Sequence, residues 1–336
     1  PREEVEKWYK DNYSADKAHL VLYSSLPLEE LISLTKEHFS SVPTSDLSTP
    51  LPYQTLLSSS QKGHLITIKP IKDIRQFTLI WELPKDQVLN LENSSTELLC
   101  SILQSKHPSS LYNHLKTDGL IEDLFISTSK FSKENAIFEV NFTLTPLGVK
   151  EYKAIVDRCF DMIFLIKRKG IPKFIFDEMK VMAQLNYEYQ SRSPSFDYVQ
   201  HLVTQMTKEP LETFPQKLTL PSSYNEKHNH ELLGLLTPEN ATYFLVASEN
   251  LTQNSGKPNL KEKWSGAEYS ISSIHPKELS SWKKEKISGS MDLPQPNPYI
   301  PSNLQLVTHP SNSNELPHPQ LLNETKWGKV YYWEDV

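Results

Sequence analysis

The sequence predicts an α+β fold in which an antiparallel sheet carries its helices on one face. Three observations lead there. Two stretches alternate strictly, Phe77, Leu79, Trp81 and Leu83, then Phe138, Val140, Phe142 and Leu144, the period of two of a strand with one buried face. Others recur every three to four residues, as in Leu98, Leu99, Ile102 and Leu103 or Tyr152, Ile155, Val156, Cys159, Ile163 and Ile166, the stripe of an amphipathic helix. The elements also follow the order β-β-α-α-β-β-α-α-α-α-β, which groups strands and helices instead of alternating them.

The chain opens on a helix, with Pro1, Glu3 and Glu4 at its positive end and Val5, Trp8 and Tyr9 at helical spacing. Residues 18–23 predict a short buried strand. Pro27 then starts a second helix with Leu28, Leu31, Ile32 and Phe39 on one face, and Pro43 stops it. This helix–strand–helix unit cannot bury its own apolar faces, so residues 1–45 are expected to be the end of an incomplete first domain. Residues 46–62, rich in Ser, Thr and Pro, are expected to form a linker.

A second domain is expected over 63–308. It would hold strands at 64–69 and 74–83, a helix around 98–103 and a short helix at 109–116 ended by Gly119. Strands at 121–128 and 138–144 follow, then one long helix at 146–169 capped by Gly170. Helices at 172–189, 196–207 and 225–236, strands at 241–247 and 269–274, and a helix at 275–286 complete it. Residues 309–336 are expected to be an extended run-out with a strand at 330–333.

The bulk properties exclude several classes of function. A net charge of −6 without a basic stripe is unsuited to a phosphate backbone. The longest apolar run, 162–166, ends at Lys167-Arg168-Lys169 and is far short of a membrane span. Two cysteines, Cys100 and Cys159, make no disulfide framework and sit on apolar helix faces, as buried thiols do. Nine glycines form no phosphate-binding loop, and no G-x-S-x-G elbow occurs.

None of the eleven histidines stands in His-x-x-Glu-His or His-Glu-x-x-His. The nearest approach is His228-Asn229-His230-Glu231, where Leu232 and Gly234 occupy the positions a second ligand would need. Two histidines at i and i+2 point to different helix faces, so this cluster reads as a polar helix start.

Residues 293–304 read LPQPNPYIPSNL, with Pro294, Pro296, Pro298 and Pro301 enforcing an extended ribbon. Upstream lie Trp264, Gly266 and Tyr269 in the pattern W-x-G-x-x-Y, then a helix with Trp282. With IKPIKDIRQFTL at 68–79, SSLYNHLKTDG at 109–119 and the helix–strand–helix at 5–42, this order resembles the insulinase/pitrilysin family of zinc metalloendopeptidases over nearly the whole chain.

The resemblance implies a two-layer metalloendopeptidase-type fold. Residues 1–45 would close the zinc-bearing first domain, 63–308 would be a second, non-catalytic substrate-binding domain, and 309–336 would run toward the second half of the parent protein. The family's zinc motif precedes the matched region. Zinc is therefore expected in the full-length parent and not in this chain, which alone is expected to lack peptidase activity. The implied partners are a peptide or small protein substrate and the remaining domains of the same polypeptide, with no nucleic acid and no membrane, in a soluble cytoplasmic or periplasmic setting. Self-association of the piece is expected from its free edge and exposed apolar face. The alternative within the same family is a non-catalytic structural or binding subunit.

The resemblance also places a peptide-binding edge strand at Leu124, Phe125, Ile126, Ser127 and Thr128, with Gln104 and Lys106 beside it. Two departures stand out. Many relatives have H-E-G-P-G-S-L where this chain has Ser105-Lys106-His107-Pro108-Ser109-Ser110-Leu111, and two glycines where Ile126 and Ser127 stand here. Fewer glycines imply a tighter groove or a lost binding site, leaving an ordinary edge strand, and Lys106 replaces an acidic group that would attract a peptide amine.

Overall fold

The structure, a computed structural model, describes residues 1–44, 55–88, 94–131, 134–248, 258–284, 290–301 and 319–332. It divides into two units, Pro1–Asn297 and Pro298–Val336.

The first unit begins with α1 (Arg2–Asn12) and α2 (Leu28–Phe39). Its main body follows, with β1 (His64–Ile68), β2 (Gln76–Pro84), α3 (Lys85–Val88), α4 (Ser95–Leu103), α5 (Leu111–Thr117), β3 (Ile121–Lys130) and β4 (Asn135–Leu144). Next come α6 (Pro146–Lys150), α7 (Tyr152–Lys169), α8 (Lys173–Glu188), α9 (Ser195–Met206), α10 (Gln216–Thr219) and α11 (Glu226–Leu235). Strands β5 (Thr242–Val246), β6 (Leu260–Lys261) and β7 (Glu268–Ser273) and helix α12 (Pro276–Trp282) close it. The second unit holds an antiparallel hairpin, β8 (Gln320–Thr325) with β9 (Gly328–Tyr332), every residue of which is exposed.

The seven strands of the first unit form one sheet in the order β3-β4-β2-β5-β1-β7-β6. Every neighbouring pair is antiparallel except β1 with β5, which run parallel. Register aligns the alternating apolar residues across strands: Phe77 faces Phe142 and Leu245, and Leu79 faces Val140 and Tyr243. One sheet face is thereby apolar, and α4, α5, α7, α11 and α12 contribute to the same core. Trp81 sits at its centre, with ring centroids 6.1 Å from Phe160 of α7 and 6.2 Å from Phe138. Its indole N–H donates to Thr237 O at 2.9 Å, so the buried nitrogen is satisfied.

The opposite sheet face is half-buried. There Glu82 accepts from the backbone N–H groups of Leu56 and Leu57 at 2.9 and 3.0 Å. The described end of the expected linker is therefore clamped to the sheet, with Leu57 buried.

Three expectations need correction. Residues 18–23 are extended but form no strand, and only Val21 among them is even partly covered, because among the described residues no strand lies beside them. The single helix over 146–169 is two, since Glu151 leaves helical geometry at φ −105° and ψ 25°. In the first of the two, Gly148 packs so close to the turn before β3 that an added Cβ would stand 1.9 Å from Leu120 O. The strand at 330–333 is one arm of a hairpin. The linker residues 45–54, the end of the helix at 285–286 and the end of the proline ribbon, 302–304, lie outside the described residues.

Candidate functional site

Strand β3 is the edge of the seven-stranded sheet, paired with β4 on one side and with no strand on the other among the described residues. Its start is set by a turn. Gly119 takes φ +69°, which a side chain would disfavour, and Thr145 Oγ1 donates to Gly119 O at 2.6 Å while capping α6 through Gly148 N–H.

The direction of the backbone groups follows from two bonds. Ile126 N–H donates away from β4, to Gln104 Oε1 at 3.4 Å, and Phe131 N–H donates inward to Asn135 O at 3.2 Å. Antiparallel alternation then turns the N–H and C=O groups of Leu124 and Thr128 outward as well. The side chains alternate too. Leu124 and Ile126 are buried in the core, Ser127 and Thr128 are half-buried, and Phe125 stands 63% exposed. Ile126 thus sends its bulk into the core and not across the edge.

Gln104 and Lys106 do lie beside this strand. Gln104 is the C-cap residue of α4. Lys106 Nζ is 3.4 Å from Asp123 Oδ1 and 4.5 Å from the centre of the Tyr112 ring. Lys116 Nζ donates to Tyr112 OH at 2.7 Å, which raises its pKa, and to Glu122 O at 3.3 Å. The Asp123 carboxyl is held below its ordinary range, first by the Leu124 N–H and then by Lys106. Charges at this end of β3 alternate in sign, with Arg75 3.6 Å from Glu122.

The loop carrying these residues is pinned by groups the motif reading did not single out. Asn113 Nδ2 donates to Lys106 O at 2.6 Å and to His107 O at 2.7 Å. The His107 ring bridges Ser105 Oγ at 2.9 Å and Asp292 O at 3.0 Å, and Asp292 is 2.6 Å from Lys169. The start of the proline ribbon is thereby tied to the loop beside the edge strand. Only the spacing of Ser110 and Asn113 offered a signal in sequence, that of a helix N-cap; Ser110 Oγ accepts from Asn113 N–H at 3.2 Å.

Among the described residues no three His, Cys, Asp or Glu side chains gather to hold a metal. Burial pushes the thiols of Cys100 and Cys159 up to about 12, so neither is a thiolate at neutral pH. His228 is buried and His230 is not, as their different helix faces require. No helix among the described residues is long and apolar enough to cross a membrane.

A mixed sheet with helices on one face and an edge strand is shared by proteins of many functions, and comparison with known proteins narrows the choice. The profile described as "Peptidase M16 inactive domain" matches residues 1–182, and that described as "Middle or third domain of peptidase_M16" matches 187–336. The chain belongs to the M16 peptidase family, as the insulinase/pitrilysin resemblance led one to expect. It is 24% identical to "Protease 3" of Escherichia coli (strain K12), covering 98% of this chain and 33% of that protein. It is 23% identical to "Insulin-degrading enzyme-like 1, peroxisomal" of Arabidopsis thaliana, covering 100% and 34%, and 23% identical to "Putative zinc protease mug138" of Schizosaccharomyces pombe, covering 99% and 34%. The crystal structure of pitrilysin superposes with a TM-score of 0.86 at 23% identity, covering 99% of this chain and 34% of that one, a likeness of fold. The chain spans about a third of the length of the curated relatives it matches.

Proposed function

We propose that this chain is the non-catalytic, substrate-binding part of a zinc-dependent M16 endopeptidase that hydrolyses peptides, and that an extended peptide docks on the edge of β3. The observation that carries this reading is the outward backbone of Leu124, Ile126 and Thr128 on the sheet's edge. Such an edge supplies hydrogen bonds to any extended chain without reading much of its sequence. Phe125, exposed beside it, offers an apolar surface to alternate side chains of the guest.

In this reading residues 1–45 end the zinc-bearing first domain, 46–62 are the linker, 63–308 are the substrate-binding domain and 309–336 lead to the second half. Zinc is held by residues outside this chain, in a soluble parent protein. The remaining domains of the polypeptide cover the apolar faces of α1 and α2, and in their absence the piece self-associates.

The test uses the polypeptide that contains this chain. Titration with a labelled extended peptide should show saturable binding, and the same peptide N-methylated at alternate residues should not bind. Equal binding of both, or of neither, rejects edge docking. Peptide hydrolysis abolished by a chelator, and by replacing a His-x-x-Glu-His histidine outside this chain, separates an active parent from a non-catalytic subunit of the same family.

A further inference from the structure

The edge of β3 is not bare. A side-chain amide presents the same acceptor and donor as a backbone peptide group. Gln104 places its Oε1 3.4 Å from the Ile126 N–H, where the carbonyl of a paired strand would sit. One step back along the strand, the Asp123 carboxylate is held by Lys106 of the same loop at 3.4 Å. The outward donor of Ile126 is therefore met by a side chain.

The loop is not free to drift. Asn113 fixes the carbonyls of Lys106 and His107, and His107 is bridged to Asp292. The backbone next to Gln104 is held in place, while the Gln104 side chain itself is half-buried and can rotate about its own torsions. At 3.4 Å its bond lies beyond the usual 2.7–3.2 Å of such contacts, so an incoming carbonyl at ordinary distance competes well.

We infer that Gln104 is a built-in stand-in for one peptide unit of the guest, closing the edge of β3 when no peptide is present and swinging aside when one docks. The inference rests on the peptide-docking reading of β3 and adds its regulation. An edge closed in this way resists pairing with a second copy of the chain, the usual hazard of an exposed edge strand. It also sets the register, because the guest must supply its first carbonyl opposite Ile126.

The test compares Gln104→Ala and Gln104→Glu with the unaltered protein, in the polypeptide that contains this chain. The probe is a short fluorescein-labelled peptide of alternating Val and Thr, with an N-methylated version as control. Gln104→Ala should bind the plain peptide about two- to tenfold more tightly, the range of one hydrogen bond. Gln104→Glu keeps an acceptor, now charged, and should bind it more weakly. Amide exchange at Ile126, followed without peptide, should quicken in Gln104→Ala.

The failures are distinguishable. If the plain peptide binds, the N-methylated one does not, and Gln104→Ala leaves affinity unchanged or lowers it, Gln104 is no stand-in but edge docking survives. If neither peptide binds either protein, edge docking falls and this inference with it. Unchanged exchange at Ile126, or self-association of Gln104→Ala without a gain in peptide affinity, also overturns it.

Discussion

Helices α7 and α1 carry the same kind of apolar stripe and meet opposite fates. In α7, Ile155, Val156, Cys159, Phe160, Met162, Ile163 and Ile166 are all buried. In α1, Val5, Trp8 and Tyr9 are exposed by 66%, 57% and 59%, and no residue of α1 or α2 is buried. The rings of Trp8 and Tyr9 each pack on Tyr13, the residue just after α1, at 5.6 and 5.0 Å. Periodicity names the face that seeks cover. Cover itself comes from a partner, and α7 has the sheet while α1 has none among the described residues.

The sharpest way to break this comparison is to truncate one side chain in each region. Phe160→Ala should cost this chain about 3–5 kcal/mol, since it empties the volume beside Trp81. Trp8→Ala should stay within about 0.5 kcal/mol, as exposed substitutions do. Urea denaturation of both variants measures the contrast, and equal losses would refute it.

A smaller effect is expected where the core meets the edge strand. Gly148→Ala puts a Cβ 1.9 Å from Leu120 O, so backbone must move, at a cost of about 1–3 kcal/mol. The displacement should register as faster amide exchange near Ile121. A normal melting curve and unchanged exchange would mean that α6 is not the strut described here.

Next comes the clamp on the other sheet face. Glu82→Ala removes the acceptor of two backbone N–H groups and should cost about 1 kcal/mol. Exchange at Leu56 and Leu57 should quicken while Phe77 and Leu79 stay protected. Protection lost equally throughout would show that residues 55–57 belong to the core and not to a docked linker.

The smallest effect is a pH dependence confined to the main body. Burial lowers the pKa of His228 from its ordinary 6.5, against the opposing pull of Glu231 and Asp86. As pH falls below about 6.5 the unfolded chain takes up this proton first, so stability is full above that value and declines below it. The decline ends once pH passes the lowered folded value. The melting temperature of His228→Gln should lack this part of the acid drop, and identical pH profiles would remove His228 from the account.

Much of the fold was legible because its strands and helices bury one face each. The alternation of Phe77 to Leu83 and of Phe138 to Leu144 predicts β2 and β4, and Gly119 marks the turn into β3. The break at Glu151 was not legible, because the apolar stripe of Tyr152 to Ile166 runs on from 146–150 without a Pro or Gly at the junction. Residues 18–23 misled for a related reason: a short apolar run reads as a buried strand whether or not a neighbour is there to pair with it.

The candidate site divides the same way. Leu124 to Thr128, Gln104 and Lys106 were named from family resemblance, and the structure brings them together at the sheet's edge. Asn113 and His107, which hold the loop, act through bonds to backbone carbonyls that no sequence pattern records.

By itself the sequence determined the period of each element, the absence of a zinc-binding motif and the family to which the chain belongs, since all three are written in local spacing. The resemblance names an edge strand at 124–128, but only the tertiary structure decided that the Ile126 N–H points outward and that Gln104 meets it. Those depend on which strand pairs with which, and strand pairing is settled by contacts between residues far apart in the chain.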